Sequence, residues 1–288
     1  MEFERTTARR ISSGRQSADE SASKEGWVKM EYEHLLTEIG DDYVAKVSLN
    51  RPEHLNAFNT RMARSLDRAL RDLEADSHVR VVILAGAGKA FCAGIDVKEF
   101  FGKTPMEYQA WVECMERPLV TMSGMSKPVI VEANGVAAAN GAGLVAAADL
   151  CVAADNARMG LTAINVGLSC LGPVIPVRRI VGRKRALELL LFGDLVGAEQ
   201  ALAMGMVNKV VPVAVLETET RRWAAQLAER SPVAVQISKK AFYACEDLEY
   251  HKAFDYMNEA FARLCTTQDA EEGIRAFLEK RPPAWKGR

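Results

Sequence analysis

Short stretches of alternating or continuous apolar residues recur along the chain, and longer helical patterns separate them. In the stretch at 42–50, every second residue from Tyr43 to Leu49 is apolar or aromatic, which predicts a half-buried strand. Longer apolar runs of this kind are typical of strands that are buried on both faces. Three such runs occur, at 79–86, 127–135 and 149–155.

Helical periodicity fills the segments between these strands. The segment at 60–76 places its apolar residues on one stripe, as expected for an amphipathic helix: Met62, Leu66, Ala69, Leu70 and Leu73. Further helices are predicted at about 106–124 and 140–147. Because strands and helices alternate, the sequence predicts an α/β fold whose parallel strands are covered by helices on both faces.

The chain divides into three regions by composition. Residues 1–29 are polar and offer little that could pack, so we expect a disordered extension. Residues 30–205 carry the strand and helix alternation of the α/β core, and residues 206–288 are almost wholly helical. This last region is too large to be a tail, and it either covers the core or forms a subunit interface.

Charge and composition exclude several classes of protein. The formal net charge is −1, with 49% hydrophobic and 26% charged residues, so no nucleic-acid partner is expected. Without an apolar run of about 18 residues, no membrane span is expected. The six cysteines show no C-x-x-C spacing and the four histidines do not cluster. We therefore expect reduced thiols, no metal site and a cytoplasmic location.

Two glycine-rich stretches each follow a predicted strand and open a helix: "AGAGKAFCAGIDVKEF" at 85–100 and "ANGVAAANGAGL" at 133–144. The first amides of a helix have no partner within it, and the helix dipole favours negative charge there. Two such ends that face one point would form an oxyanion hole. Neither stretch has the spacing of a phosphate loop or a dinucleotide fingerprint. A tight strand-to-helix turn is the alternative for each stretch.

Five stretches resemble, in order and spacing, the motifs of the crotonase (enoyl-CoA hydratase/isomerase) superfamily. They are "LNRPEHLNAF", "GKAFCAGIDVKEF", "KPVIVEANGVAAANGAGL", "AMGMVNKVVP" and "EGIRAFLEKRPPAW". The resemblance implies a crotonase-like spiral β-β-α core with a C-terminal helical trimerisation region. It also implies an acyl-CoA thioester as ligand, no cofactor besides the coenzyme A of the substrate, and a homotrimer or dimer of trimers.

The resemblance assigns the two oxyanion donors to the backbone amides of Ile95 and Asn140. It places the general acid and base of the family's hydratases at two later positions, and here these hold Gly143 and Ala163, so both carboxylates are missing. The positions that it matches to coenzyme A contacts are His54, Leu55, Ala57, Ala93, Asp96, Val97, Lys98, Phe261 and Lys280, with Phe261 and Lys280 reaching a neighbouring subunit's site in many members.

The implied function is that of a hydratase-like lyase or isomerase that stabilises an acyl-CoA enolate without the usual Glu pair. The alternative is a non-catalytic acyl-CoA-binding protein of the same fold. Replacement acids could come from Glu107, Glu113 or Glu116 in the helix after the first glycine-rich stretch, where Glu113 and Glu116 share a face. A solvated helix face is the favoured alternative for these residues. Cys170 could be a nucleophile, but no histidine is placed to activate it.

Overall fold

The structure, a computed structural model, describes residues 28–29 and 31–288. Most of the predicted extension at 1–29 therefore lies outside the described residues. Its last two residues, 28–29, pair antiparallel with residues 38–39, so regular backbone pairing begins before the expected boundary at residue 30.

Ten strands lie in the described part of the chain. They are β1 (Val28–Lys29), β2 (Leu35–Ile39), β3 (Val44–Leu49), β4 (Val81–Gly86), β5 (Val129–Ala133), β6 (Val136–Ala138), β7 (Leu150–Ala154), β8 (Arg158–Gly160), β9 (Val196–Gly197) and β10 (Lys209–Val211). A seven-stranded sheet has the order β1-β2-β3-β4-β5-β7-β10, and a second sheet has the order β6-β8-β9. From β3 to β10 the first sheet is parallel.

Nine α-helices connect and cover these sheets within the described residues. They are α1 (Thr60–Ala75), α2 (Pro105–Gly124), α3 (Asn140–Ala147), α4 (Val174–Phe192), α5 (Ala198–Met204), α6 (Leu216–Ala228), α7 (Pro232–Cys245), α8 (Tyr250–Cys265) and α9 (Gln268–Glu279). Helix α4 is broken at Gly182, whose φ of 75° is not helical. The predicted helices at 60–76, 106–124 and 140–147 correspond to α1, α2 and α3.

A repeating unit of two strands and one helix builds the core. β5 belongs to the first sheet, the turn at residues 134–135 carries the chain into β6 of the second sheet, and α3 follows. β7, β8 and α4 repeat this path. A Cβ at Gly135 would collide with the Lys89 carbonyl, and its φ is 55°, so the turn between the sheets needs glycine. This arrangement is the expected spiral β-β-α core.

Both faces of the first sheet are buried, as continuous apolar strands require. One face packs against α1, α2 and α3, with Val47, Leu84 and Val131 in the main core. The opposite face packs against α6, where Ile83 and Ile130 meet a smaller apolar cluster. The helical region at 206–288 thus covers the core through α6.

The remaining C-terminal helices leave large apolar side chains exposed. On α8, Phe254 is 54% exposed and Phe261 is 67% exposed, and on α9 Phe277 is 82% exposed. These residues are available for a subunit interface, and the expected trimer stays a prediction. No helix in the described ranges is long and apolar enough to cross a membrane.

A buried ionic network fastens α7 to the core. The Lys239 ammonium donates to the Met122 and Lys127 carbonyls, both at 2.9 Å, and to Asp149 Oδ2 at 2.7 Å. The Tyr243 hydroxyl donates to Asp149 Oδ1 at 3.0 Å. Burial lowers the pKa of Lys239, although the Asp149 charge opposes this shift. The network joins the end of α2 and the start of β5 to one face of α7.

We predict that Lys239→Met lowers the free energy of unfolding by about 3 kcal/mol, because it leaves the buried Asp149 charge without its cation. Urea denaturation followed by circular dichroism measures the loss. The matched control is Lys240→Met, since Lys240 is exposed on the same helix and should change stability by less than about 0.5 kcal/mol. Equal effects of the two substitutions would contradict the prediction.

Candidate functional site

The two glycine-rich stretches lie side by side as parallel backbone segments. Cys92 forms a parallel bridge with Ala137; its amide donates to the Val136 carbonyl at 3.0 Å, and its carbonyl accepts from the Ala138 amide at 2.8 Å. Continuing this register by three residues places Ile95 opposite Asn140. The structure therefore brings together the loops that carry the two predicted oxyanion donors.

Glycines allow the two loops to approach this closely. A Cβ on Gly94 would lie 2.9 Å from the Ala139 Cβ and 3.1 Å from the Ala138 carbonyl oxygen, and the φ of Gly94 is 99°. A Cβ on Gly141 would collide with the Cys92 carbonyl. The small residues of both stretches thus bring backbone against backbone.

The amides of Ile95 and Asn140 donate to no acceptor among the described residues. Asn140 is the first residue of α3, so its amide has no intrahelical partner and lies at the positive end of the helix dipole. Both neighbouring segments are fixed: the Ala139 amide donates to the Gly160 carbonyl at 2.8 Å, and the Asp96 amide donates to the Phe58 carbonyl at 3.0 Å. Two unpaired amides at matched positions can both donate hydrogen bonds to one oxyanion between them.

The Asn140 side chain is directed into the protein. It is 1% exposed, and its Nδ2 donates to the Met115 carbonyl of α2 at 3.2 Å. Its Oδ1 is buried and accepts no hydrogen bond from the described residues. Since Met115 contributes a carbonyl, the amide nitrogen must face it. The side chain therefore ties α2 to the start of α3.

Ala139, just before α3, has an unusual backbone conformation. Its φ of 50° and ψ of −111° are close to those of the first central residue of a type II′ turn, a position that favours glycine. A residue other than glycine pays about 1–3 kcal/mol in such a region. This strained residue directly precedes the Asn140 amide.

A polar clamp that the sequence interpretation missed holds the first loop. The Arg51 guanidinium donates to Asp96 Oδ2 at 3.0 Å and to the Ala57 carbonyl at 2.6 Å. Asn56, fully buried, donates to the Ala87 and Ala90 carbonyls at 2.9 and 2.8 Å. Burial raises the pKa of Asp96, but hydrogen bonds from the Lys98 amide and from Arg51 outweigh it, so the pKa is lowered.

Seven of the residues expected to contact coenzyme A lie in two paired segments. The Ala93 amide donates to the Leu55 carbonyl at 3.0 Å, and the Phe58 amide donates to the Gly94 carbonyl at 2.7 Å. These bonds join two sets of the expected residues: His54, Leu55 and Ala57 in one segment, and Ala93, Asp96, Val97 and Lys98 in the other.

Phe261 and Lys280 are not part of this group. Phe261 lies on α8, which packs against α7 and α9, and Lys280 ends α9 in a left-handed conformation. Both are exposed in this chain. Their expected contact with a neighbouring subunit stays a prediction.

Gly143 and Ala163 bring no carboxylate to the site. A Cβ at Gly143 would lie 2.9 Å from the Pro173 Cβ and 3.0 Å from Leu119 Cδ2, so the space at this position is already filled. Ala163 lies in a 3-10 helix at Thr162–Val166. The backbone of Ala163 hydrogen-bonds the Cys170 thiol, whose pKa is nevertheless raised, because burial outweighs that bond.

The three candidate glutamates of α2 have different surroundings. Glu107 completes a capping box with Thr104 at the start of the helix, so its carboxylate is occupied. Glu113 is exposed and accepts from Gln109 Nε2 at 3.1 Å. Glu116 is half-buried, and its pKa is raised by burial and then by the charge of Glu113.

We predict that Ala139→Gly raises the free energy of unfolding by about 1 kcal/mol, because glycine adopts the Ala139 conformation without strain. Thermal unfolding at one scan rate measures the change. Ala142→Gly, three residues further into α3, is the matched control and should lower stability by about 1 kcal/mol. A loss of stability in both variants would show that Ala139 is not strained.

Comparison with known proteins identifies the family. The family profile described as Enoyl-CoA hydratase/isomerase matches residues 40–288. The human mitochondrial enoyl-CoA hydratase domain-containing protein 3 is 35% identical over 246 residues, which covers 85% of this chain and 81% of the human protein. The (E)-benzylidenesuccinyl-CoA hydratase of Thauera aromatica is 33% identical over 249 residues, which covers 85% of this chain and 96% of that enzyme.

Solved structures agree as well. The crystal structure of enoyl-CoA hydratase from Mycobacterium smegmatis superposes with a TM-score of 0.85 at 36% identity, and the match covers 88% of this chain and 98% of that chain. The spiral fold that the five motifs implied is confirmed. The chain therefore belongs to the enoyl-CoA hydratase/isomerase family.

Proposed function

We propose that this protein binds an acyl-CoA thioester and stabilises its enolate between the amides of Ile95 and Asn140. One observation carries the proposal: two backbone amides without acceptors stand at matched positions of two paired loops. Because the donors are fixed before the ligand arrives, they need no reorganisation when negative charge develops on the thioester oxygen. The proposed reaction is that of a lyase or isomerase of this family.

Family membership and the surrounding residues support the thioester as ligand. The relatives include proteins named as hydratases of CoA thioesters. The paired segments at 54–57 and 93–98 stand beside the two amides and present exposed groups, including Val97 and the Lys98 ammonium. We propose that these segments hold the coenzyme A portion, with no further cofactor.

We also propose that hydration by a Glu pair is not the reaction here. At Gly143, Pro173 and Leu119 occupy the volume that a larger side chain would need, and Ala163 has no ionisable group. Losing a general acid or base typically lowers the rate by about 10²–10⁴-fold. The filled space at Gly143 also favours the second candidate function, acyl-CoA binding without turnover, which rate measurements distinguish from catalysis.

Acetoacetyl-CoA tests the proposed enolate site without requiring turnover. Its enolate absorbs in the near ultraviolet and its keto form does not, so donors to the enolate oxygen should lower the apparent pKa of the ligand. We expect a saturable increase in enolate absorbance at pH 7 in buffer containing a chelator. Free coenzyme A should reverse the increase. Binding without any absorbance change, or no binding, would refute the proposal.

A matched pair of glycine variants tests whether the two loops form the site. Gly94→Ala should abolish the absorbance change, because the added methyl would lie 2.9 Å from the Ala139 Cβ and force the loops apart. Gly102→Ala introduces a methyl at a similar φ of 79° with no atom within 4 Å. The Gly102→Ala variant should retain the absorbance change. Equal responses would argue against this site.

We predict that Gly143→Ala lowers the free energy of unfolding by about 1–2 kcal/mol, because the backbone of Pro173 cannot move away from the new methyl. Chemical denaturation measures this change. Gly124→Ala at the end of α2, where no atom lies within 4 Å of the added methyl, should be neutral or slightly stabilising. A neutral Gly143→Ala would indicate that a larger side chain fits at this position after all.

A further inference from the structure

Glu116 lines a cleft of about 330 Å³ between α2, α3, α4 and α7. The floor of this cleft is largely apolar and includes Leu119, Ala146 and Pro176. At one end, the Glu116 carboxyl lies directly against the backbone of Gly172, where any Cβ would overlap it. The absence of a side chain at residue 172 is therefore what makes room for the carboxyl.

The Glu116 carboxyl has no partner among the described residues. Arg179, the one cation among the residues that line the cleft, is paired with Glu246 and bonds Asp247 at 2.8 and 2.9 Å. A half-buried carboxylate without a hydrogen bond or cation lowers stability. Burial and the neighbouring Glu113 raise the pKa of Glu116. Such groups are characteristic of sites that transfer protons.

Three contacts connect Glu116 to helix α3, which begins at the Asn140 amide. The carbonyl of the preceding residue, Met115, accepts from the Asn140 side chain at 3.2 Å. Gly172, on which the carboxyl lies, is followed by Pro173, and Pro173 packs on Gly143. Gly143 is about one helical turn from Asn140 along α3. The carboxyl is thus held beside the part of α3 that follows the oxyanion donor.

We propose that Glu116 transfers the proton at the carbon next to the thioester carbonyl, in place of the carboxylates missing at residues 143 and 163. This rests on the proposed enolate site. The C–H bond breaks, its proton passes to a Glu116 oxygen, and its electron pair forms the enolate whose oxygen accepts from the Ile95 and Asn140 amides. Return of a proton reverses the step, so no oxidant or reductant is needed.

Deuterium exchange into butyryl-CoA in heavy water measures this step directly. The wild-type protein should exchange the protons next to the thioester carbonyl, and mass spectrometry measures the deuterium that is incorporated. Glu116→Gln should slow the exchange by at least about 100-fold and keep the enolate absorbance of acetoacetyl-CoA. Glu113→Gln, an equally conservative change one turn earlier on α2, should leave the exchange rate within about threefold of wild type.

The melting temperature supplies a second readout. Removing a carboxylate that stabilises the fold lowers it, whereas removing an unpaired catalytic carboxylate raises it. Glu116→Gln should raise the melting temperature, since the substitution removes an unpaired half-buried charge. The proposal would be overturned if the Glu116→Gln variant exchanged deuterium at the wild-type rate. A wild-type protein that shows the enolate absorbance but no exchange would overturn it as well. A wild-type protein lacking the enolate absorbance would instead refute the enolate site itself.

Discussion

The parallel bridge between Cys92 and Ala137, which sets the two glycine-rich stretches side by side, is the constraint on which the candidate site depends. Two hydrogen bonds at Cys92 set the register, and the absence of side chains at Gly94 and Gly141 sets the separation. Two further sets of contacts hold the paired loops in place. The Arg51 and Asn56 clamp holds the first loop, and the hydrogen bond from Ala139 to Gly160 holds the second.

The sequence predicted the parts of the fold that have strong periodicity. The α1 stripe is buried as predicted, and α3 has the predicted bounds. The second sheet was missed because β6, β8 and β9 are only two or three residues long. A strand this short shows no alternation, and its position is set by pairing with distant residues.

The candidate site was predictable only in part, for a similar reason. The positions of the two amide donors could be predicted from the glycines and the order of the motifs, because both are visible in the local sequence. The environments of Glu113 and Glu116 could not be distinguished, since the two residues share a helical face. What separates them is Gly172, more than fifty residues later in the chain, which admits the Glu116 carboxyl into the cleft. The Arg51–Asp96 pair likewise joins residues that no local pattern connects.

The repeating unit of the core has a consequence for how this architecture tolerates change. Ile95 and Asn140 occupy corresponding points in successive turns of the spiral, and main-chain pairing, not the length of the intervening chain, sets their alignment. The loops that flank helix α2 could therefore gain or lose residues without altering the spacing of the amides. The wall around a bound acyl group can thus change with the length of these loops, while the two amide donors stay fixed.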